Sequence, residues 1–157
     1  MSRTTPATQA LDKAKVSYTL AAYDYDPSAE RIGLQAADAL GAPASQVLKT
    51  LIVKVDGKPA CVVLASDREV SMKKLAQALG AKSAEMAPVA EAERITGYRV
   101  GGVSPFGQKK RLPTVLDADA AELAEAFVNG GQRGLQARLS PAELVRVLGA
   151  VVAPITA

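Results

Sequence analysis

With 157 residues, 48% of them hydrophobic and none of them histidine or tryptophan, the chain is expected to fold as a single domain over 1–157. The missing histidines exclude Ser-His-Asp and Cys-His nucleophiles, imidazole bases and most zinc sites, and a lone Cys61 excludes an internal disulfide. A formal net charge of +3 tilts the choice of partner toward anions without deciding it.

Pro6 opens a helix over residues 6–15, on which Ala7, Ala10, Leu11 and Ala14 recur at helical spacing. Residues 16–23 alternate as a strand, and Asp24-Tyr25-Asp26-Pro27-Ser28 makes a turn in which an Asx role suits the aspartates. A second helix over 32–40 is closed by Gly41. Two strands, 47–55 and 59–66, flank Asp56-Gly57-Lys58 as a hairpin. Ser71 caps a helix over 72–79, and a further helix over 88–95 stops at Gly97. A basic, glycine-rich loop over 101–111 precedes a strand over 114–117. Phe127-Val128 and a strand over 135–139 bracket a second glycine loop. Ser140 as N-cap, Pro141 at N1 and Glu143 at N3 then open the last helix, which ends at Gly149 before an edge strand over 151–155. This order predicts a mixed α/β (α+β) fold: a curved mixed sheet or open barrel surrounded by helices.

No run of about 18 apolar residues is present, so no membrane-spanning helix is expected. The opening Met1-Ser2-Arg3-Thr4-Thr5-Pro6 lacks the apolar stretch of a secretory signal. Cys61 lies in the apolar run Ala60-Cys61-Val62-Val63-Leu64 and reads as a small buried hydrophobe, consistent with a reducing, cytoplasmic setting.

Without histidine, any catalysis must draw on lysine, carboxylates, hydroxyls, backbone dipoles or the substrate itself. In Val47-Leu48-Lys49-Thr50-Leu51-Ile52-Val53, strand alternation puts Lys49 on one face with Val47, Leu51 and Val53. A lysine there either meets an anion or snorkels to solvent. The segment Gly101-Gly102-Val103-Ser104-Pro105-Phe106-Gly107-Gln108-Lys109-Lys110-Arg111 combines backbone freedom with three successive cations, which suits a phosphate. It is not a Walker A loop, because Gln108 stands where that lysine belongs. It is not a nucleophile elbow, because nothing could activate Ser104. Asn129-Gly130-Gly131-Gln132-Arg133-Gly134 repeats the combination as either a hairpin turn or a second wall of the same site.

These segments, together with Thr5-Pro6-Ala7, Tyr23-Asp24-Tyr25-Asp26-Pro27 and Val147-Leu148-Gly149-Ala150, closely resemble the YbaK/EbsC deacylases along essentially the whole chain. The most specific signature is the Gly-Gly-x-Ser-Pro-x-Gly-Gln-Lys-Lys-Arg loop. The resemblance implies the mixed α/β editing domain also found within bacterial prolyl-tRNA synthetases. It implies trans-editing of tRNA(Pro) mischarged with cysteine, with prolyl-tRNA synthetase as a protein partner and neither DNA nor membrane involved. No cofactor and no metal are implied.

By the same resemblance Lys49 is the residue on which activity depends and Gly101 lines the pocket, and the backbone N–H groups of Gly101 and Gly102 suit the role of oxyanion donors. Tyr23, Thr50, Ser104 and Asn129 are expected to bind the aminoacyl-adenosine end, and Lys109, Lys110, Arg111 and Arg133 the tRNA phosphates. Two positions depart from the family pattern: Tyr25 replaces a frequent histidine, and Asn129 a frequent serine. The family is thought to let the cysteine thiol attack its own ester, which fits a chain with no activated nucleophile of its own. The alternatives are a deacylase for another misacylated tRNA, such as Ala-tRNA(Pro), and a non-catalytic tRNA- or synthetase-binding module.

Overall fold

The computed structural model describes residues 4–28 and 32–157, and the side chains of residues 4–28 and 34–157. Helix α1 (Pro6–Lys13) begins with a reciprocal cap: Thr5 Oγ1 accepts from Thr8 N–H, and Thr8 Oγ1 accepts from Thr5 N–H. Its C-terminus is a Schellman motif in which Val16 N–H reaches Leu11 C=O and Lys15 N–H reaches Asp12 C=O. Lys15 adopts φ +59° to make that motif. Val16 is thereby drawn into the core with α1, and β1 (Thr19–Ala22) starts three residues later than the alternation implied.

Helix α2 (Ile32–Leu40) precedes a short 3-10 turn, Ala44–Gln46. Strands β2 (Leu48–Val55) and β3 (Lys58–Ala65) form the long hairpin of the fold. Asp56 (φ +48°) and Gly57 (φ +80°) form its two-residue loop, the left-handed pair that matches the strand twist. Then follow α3 (Met72–Ala78), β4 (Ala84–Met86), α4 (Val89–Thr96), β5 (Thr114–Asp117) and α5 (Ala118–Ala121). The chain closes with β6 (Ala126–Asn129), β7 (Leu135–Leu139), α6 (Ala142–Leu148) and β8 (Val151–Ala153). Ser71 Oγ caps α3 through Lys74 N–H, as its position suggests.

The last helix ends at Gly149 as expected but starts differently. No side chain caps it; Ser140 contributes only its carbonyl, to Glu143 N–H, and Pro141 is already helical. Glu143 cannot reach back as a capping-box residue because its carboxylate is held by Arg146.

The strands are divided between two sheets, an antiparallel set ordered β1-β7-β6 and a mixed set ordered β4-β2-β3-β5-β8. A single parallel bridge, Val47 to Phe127, links them, and no closed barrel forms among the described residues. This is the open mixed α/β arrangement expected. Alternation along β3 sends Cys61, Val63 and Ala65 into a core with α1 and α6, and Ala60, Val62 and Leu64 into a second core with Leu75 of α3. A third cluster packs Ala36 and Ala37 of α2 against Val47 and Phe127.

Strand β2 sits between the two sheets, and this position creates the site. On the edge facing away from β3, β4 pairs only with Val53–Val55, and Ala87 N–H extends the contact to Ile52 C=O. The other end of that edge meets β6 only at Val47. Between these two contacts the edge is open.

Candidate functional site

A cavity of about 390 Å³ occupies that opening, a size typical of small-ligand sites. Its wall is Val47 and the start of β2, Leu48 to Ile52. The end of β4 and α4 contribute Met86, Ala87, Val89 and Ala92, the 101–111 loop and its approach contribute Val100, Gly101 and Val103, and β6 and β7 contribute Asn129 and Gln136. Ser66 and Glu69, beyond the end of β3, complete it. At the mouth, Met86, Val89 and Val100 are exposed apolar side chains, 49%, 59% and 39% accessible.

Lys49 stands on the face of β2 that also carries Leu51 and Val53, as alternation required, although Val47 has turned into the α2 cluster. Its side chain is 22% exposed and its ammonium lies 3.6 Å from Glu69, an ion pair longer than a hydrogen bond. Thr50 lies between Leu48 and Ile52, on the opposite face.

Among the described residues three buried side-chain polar atoms lack a hydrogen-bond partner: Tyr23 Oη, Thr50 Oγ1 and Gln136 Oε1. Thr50 and Gln136 both line the cavity. Burial pushes the Tyr23 phenol above its ordinary range, and the neighbouring Gln136 amide partly opposes the shift without completing a hydrogen bond to it. An unpaired buried polar atom costs about 1–3 kcal/mol. Two of them, on Thr50 and Gln136, lie in the cavity wall, and Tyr23 stands behind Gln136 outside the lining; together they mark where a polar ligand would restore lost bonds.

The glycine loops divide their labour. Gly101 lines the cavity at φ +92°, and a Cβ there would lie 2.5 Å from Tyr25 Oη. Its carbonyl accepts from Asn129 Nδ2 at 3.1 Å, and its N–H has no partner among the described residues. Gly102 does not share this role. Its N–H already donates to Arg99 C=O at 2.8 Å, and a Cβ there would meet the Gln132–Arg133 backbone at 2.9 Å. Close approach of the two loops explains Gly102, not an oxyanion contact.

Ser104 is likewise corrected as a pocket residue. It is fully buried, away from the cavity, and its Oγ accepts from Phe106 N–H. Asn129 does line the cavity, but its amide is engaged at both ends, Nδ2 on Gly101 C=O and Oδ1 on Gly131 N–H at 2.7 Å. Thus Asn129 holds the two glycine loops together. Arg133 lies at the rim, where its Nε donates to Val100 C=O and its guanidinium stacks 5.1 Å from the Tyr25 ring centroid. Lys109, Lys110 and Arg111 are exposed and lie outside the cavity, with Arg111 reaching Val147 C=O. Cys61 is fully buried beside Gln108, and burial pushes its thiol up to about 12. Asp26 forms the expected Asx turn, and the Ser28 hydroxyl and amide hold its carboxyl below the usual carboxylate range.

Glu69 and Gln136 were not anticipated from the sequence. Glu69 sits in a polar connection with no periodicity. Gln136 faces Asn129 and Ala21 across neighbouring strands, a position that only strand pairing reveals. No group of three or more Cys, Asp or Glu residues is arranged to hold a metal ion among the described residues. No described helix is long and apolar enough to cross a membrane.

A family model described as the aminoacyl-tRNA editing domain matches residues 26–147, a span containing Lys49, Thr50, Gly101 and Gln136. The chain belongs to this editing-domain family. One relative, from Enterococcus faecalis and provisionally named Cys-tRNA(Pro)/Cys-tRNA(Cys) deacylase EbsC, is 34% identical over 155 residues, 97% of this chain and 93% of that protein. A proline–tRNA ligase of Geobacter metallireducens is 36% identical over 92 residues, which are 59% of this chain and 16% of the ligase. A solved structure provisionally described as a trans-editing enzyme for prolyl tRNA synthetase superposes with a TM-score of 0.81 at 25% identity, covering 97% of this chain and 95% of its own. The editing-domain fold and the open two-sheet arrangement agree.

Proposed function

We propose that this protein is a trans-editing deacylase that hydrolyses the ester of Cys-tRNA(Pro) without a metal ion. Family membership supports the coarser activity, removal of an amino acid from a misacylated tRNA. The choice of cysteine rests on the full-length relationship to the Enterococcus faecalis protein. The observation that carries a hydrolytic site, as against a passive binding face, is the convergence of Lys49 and the unpaired buried polar atoms of Thr50 and Gln136 on one cavity.

The chain has no histidine and its one thiol is buried and protonated, so the nucleophile comes from the substrate. The cysteine thiol of the bound ester attacks its own carbonyl, the C–S bond forms and the bond to the ribose oxygen breaks. The thiol proton passes to that oxygen, freeing the tRNA 3′ end, and water then opens the resulting thiolactone to cysteine. In this sequence the protein orients and stabilises. Thr50, Gln136 and Tyr23 receive neutral donors of the terminal adenosine, its ribose hydroxyl and adenine amino groups. Gly101 N–H faces the developing oxyanion, and Lys49 neutralises a nearby negative charge. Orientation of this kind supplies about 7–11 kcal/mol, and one well-placed oxyanion donor about 3–4 kcal/mol. Lys109, Lys110, Arg111 and Arg133 hold the body of the tRNA through its phosphates.

The deciding experiment measures deacylation of Cys-tRNA(Pro), Ala-tRNA(Pro) and Pro-tRNA(Pro) by the purified protein in excess chelator, with the tRNA folded beforehand. The expected result is rapid loss of cysteine alone. Preferential loss of alanine would move the substrate assignment. Inactivity restored only by a divalent metal would overturn the mechanism.

A further inference from the structure

Two charged side chains line the cavity, Lys49 and Glu69, and they are of opposite sign. The backbone of Glu69 is pinned by the C-terminal segment. Its carbonyl accepts from Ala157 N–H at 2.8 Å, Val70 bridges to Thr156, and Ser71 N–H donates to Ile155 C=O. The carboxylate itself is 73% exposed at the cavity mouth, and its pairing with Lys49 at 3.6 Å is of the loose, solvated kind that contributes little. Such a pair separates readily when each partner is offered a better counter-charge.

An aminoacyl ester on a tRNA 3′ end offers both. The terminal nucleotide carries a phosphate, and the amino acid carries a free α-amino group that is largely cationic near neutral pH, next to the carbonyl under attack. The cavity provides few other places for that ammonium. Asn129 is already engaged at both ends of its amide. The mouth opposite is apolar, formed by Met86, Val89 and Val100. The unpaired atoms of Tyr23, Thr50 and Gln136 are neutral and buried, and a cation brought to them would lose its hydration without gaining a counter-charge.

Building on the deacylase reading above, we infer that Glu69 is a specificity-determining residue that binds the α-ammonium of the aminoacyl ester while Lys49 meets the phosphate. The site therefore selects esters with an unblocked α-amino group and discriminates against N-acylated or peptidyl esters, although N-acylation leaves the cysteine thiol intact.

The test compares single-turnover deacylation of Cys-tRNA(Pro) and N-acetyl-Cys-tRNA(Pro) by the wild-type chain and Glu69→Gln. If the panel above shows another amino acid to be the one removed, that ester and its N-acetyl form replace them. Glu69 is exposed, and an unchanged thermal melt verifies that the variant folds. The wild type is expected to favour the free ester by about tenfold or more, the scale of one charge-assisted hydrogen bond. Glu69→Gln should lose about that factor on the free ester only, so that the preference collapses. Equal losses on both esters would reduce Glu69 to a support for Lys49 and overturn the inference, as would no loss on either or an absence of preference in the wild type. A wild type inactive on every free aminoacyl ester would instead overturn the deacylase reading itself.

Discussion

Two sets of buried polar groups in this molecule are treated in opposite ways. Beneath the 101–111 loop they close on one another: Tyr98 Oη donates to Phe106 C=O at 2.6 Å, Phe106 N–H donates to Ser104 Oγ, and Gln108 Nε2 donates to Ser104 C=O at 3.0 Å. Burial raises the Tyr98 phenol well above its usual range, so it remains a neutral donor. In and behind the cavity, Tyr23, Thr50 and Gln136 are equally withdrawn from water but leave one polar atom each unpaired. The first set stabilises a loop whose glycines alone would leave it loose. The second is held at a cost to the folded state, and that cost is recovered when a ligand supplies the missing partners.

The comparison can be pushed hardest at Lys49. Lys49→Ala should lower deacylation by about 100-fold or more while shifting stability by less than about 1 kcal/mol, since its exposed partner Glu69 rehydrates freely. Turnover within a few-fold of wild type in a folded variant would remove Lys49 from the site. Urea unfolding beside the deacylation assay exposes the contrast between the two sets directly. Ser104→Ala strands the buried Phe106 N–H and should cost about 1–3 kcal/mol of stability, with little change in rate per folded molecule. Thr50→Val removes an unpaired hydroxyl at almost constant shape, so stability should hold or rise by about 1 kcal/mol while kcat/KM falls by about tenfold. If the two variants behaved alike, the division into structural and ligand-binding groups would be wrong. The smallest effect belongs to the exposed cations outside the cavity. Lys110→Ala should weaken tRNA binding only a few-fold and reduce the salt dependence by about one counterion, from a total on the order of two to four. An unchanged slope would show that this segment does not touch phosphate.

Much of the fold could be read from local chemistry. Asp56-Gly57 names its own turn because few residue pairs accept two successive positive φ angles, and the hairpin then brings Lys49 to a defined face. The Thr5-Pro6 start of α1 is equally local. The misses were of two kinds. Strand β4 and helix α5, of three and four residues, are shorter than the periods that would reveal them. The last helix runs to Gly149 as expected, and only its capping box is absent, because Glu143 has an equally local alternative, Arg146, one turn along.

For the site, residue order singled out Lys49 and the two glycine loops, since a lysine among alternating apolar residues and clustered glycines with cations are unusual choices at those positions, while Thr50 entered only through the family resemblance. It could not say which loop residues face a ligand. Gly101 and Gly102 are adjacent, yet one lines the cavity with a free N–H while the other is spent on Arg99 and on the close passage of the Gln132–Arg133 backbone. Ser104 turns inward to Phe106 for the same reason, because its neighbours in space, not in sequence, set its direction. Glu69 and Gln136 join Lys49 only because β2 lies between two sheets that touch at Val47 and part again before Val53. The alternation of polar and apolar residues decides which face a side chain takes. Only the pairing of distant strands decides what stands opposite it, and the gap left between those pairings is the cavity.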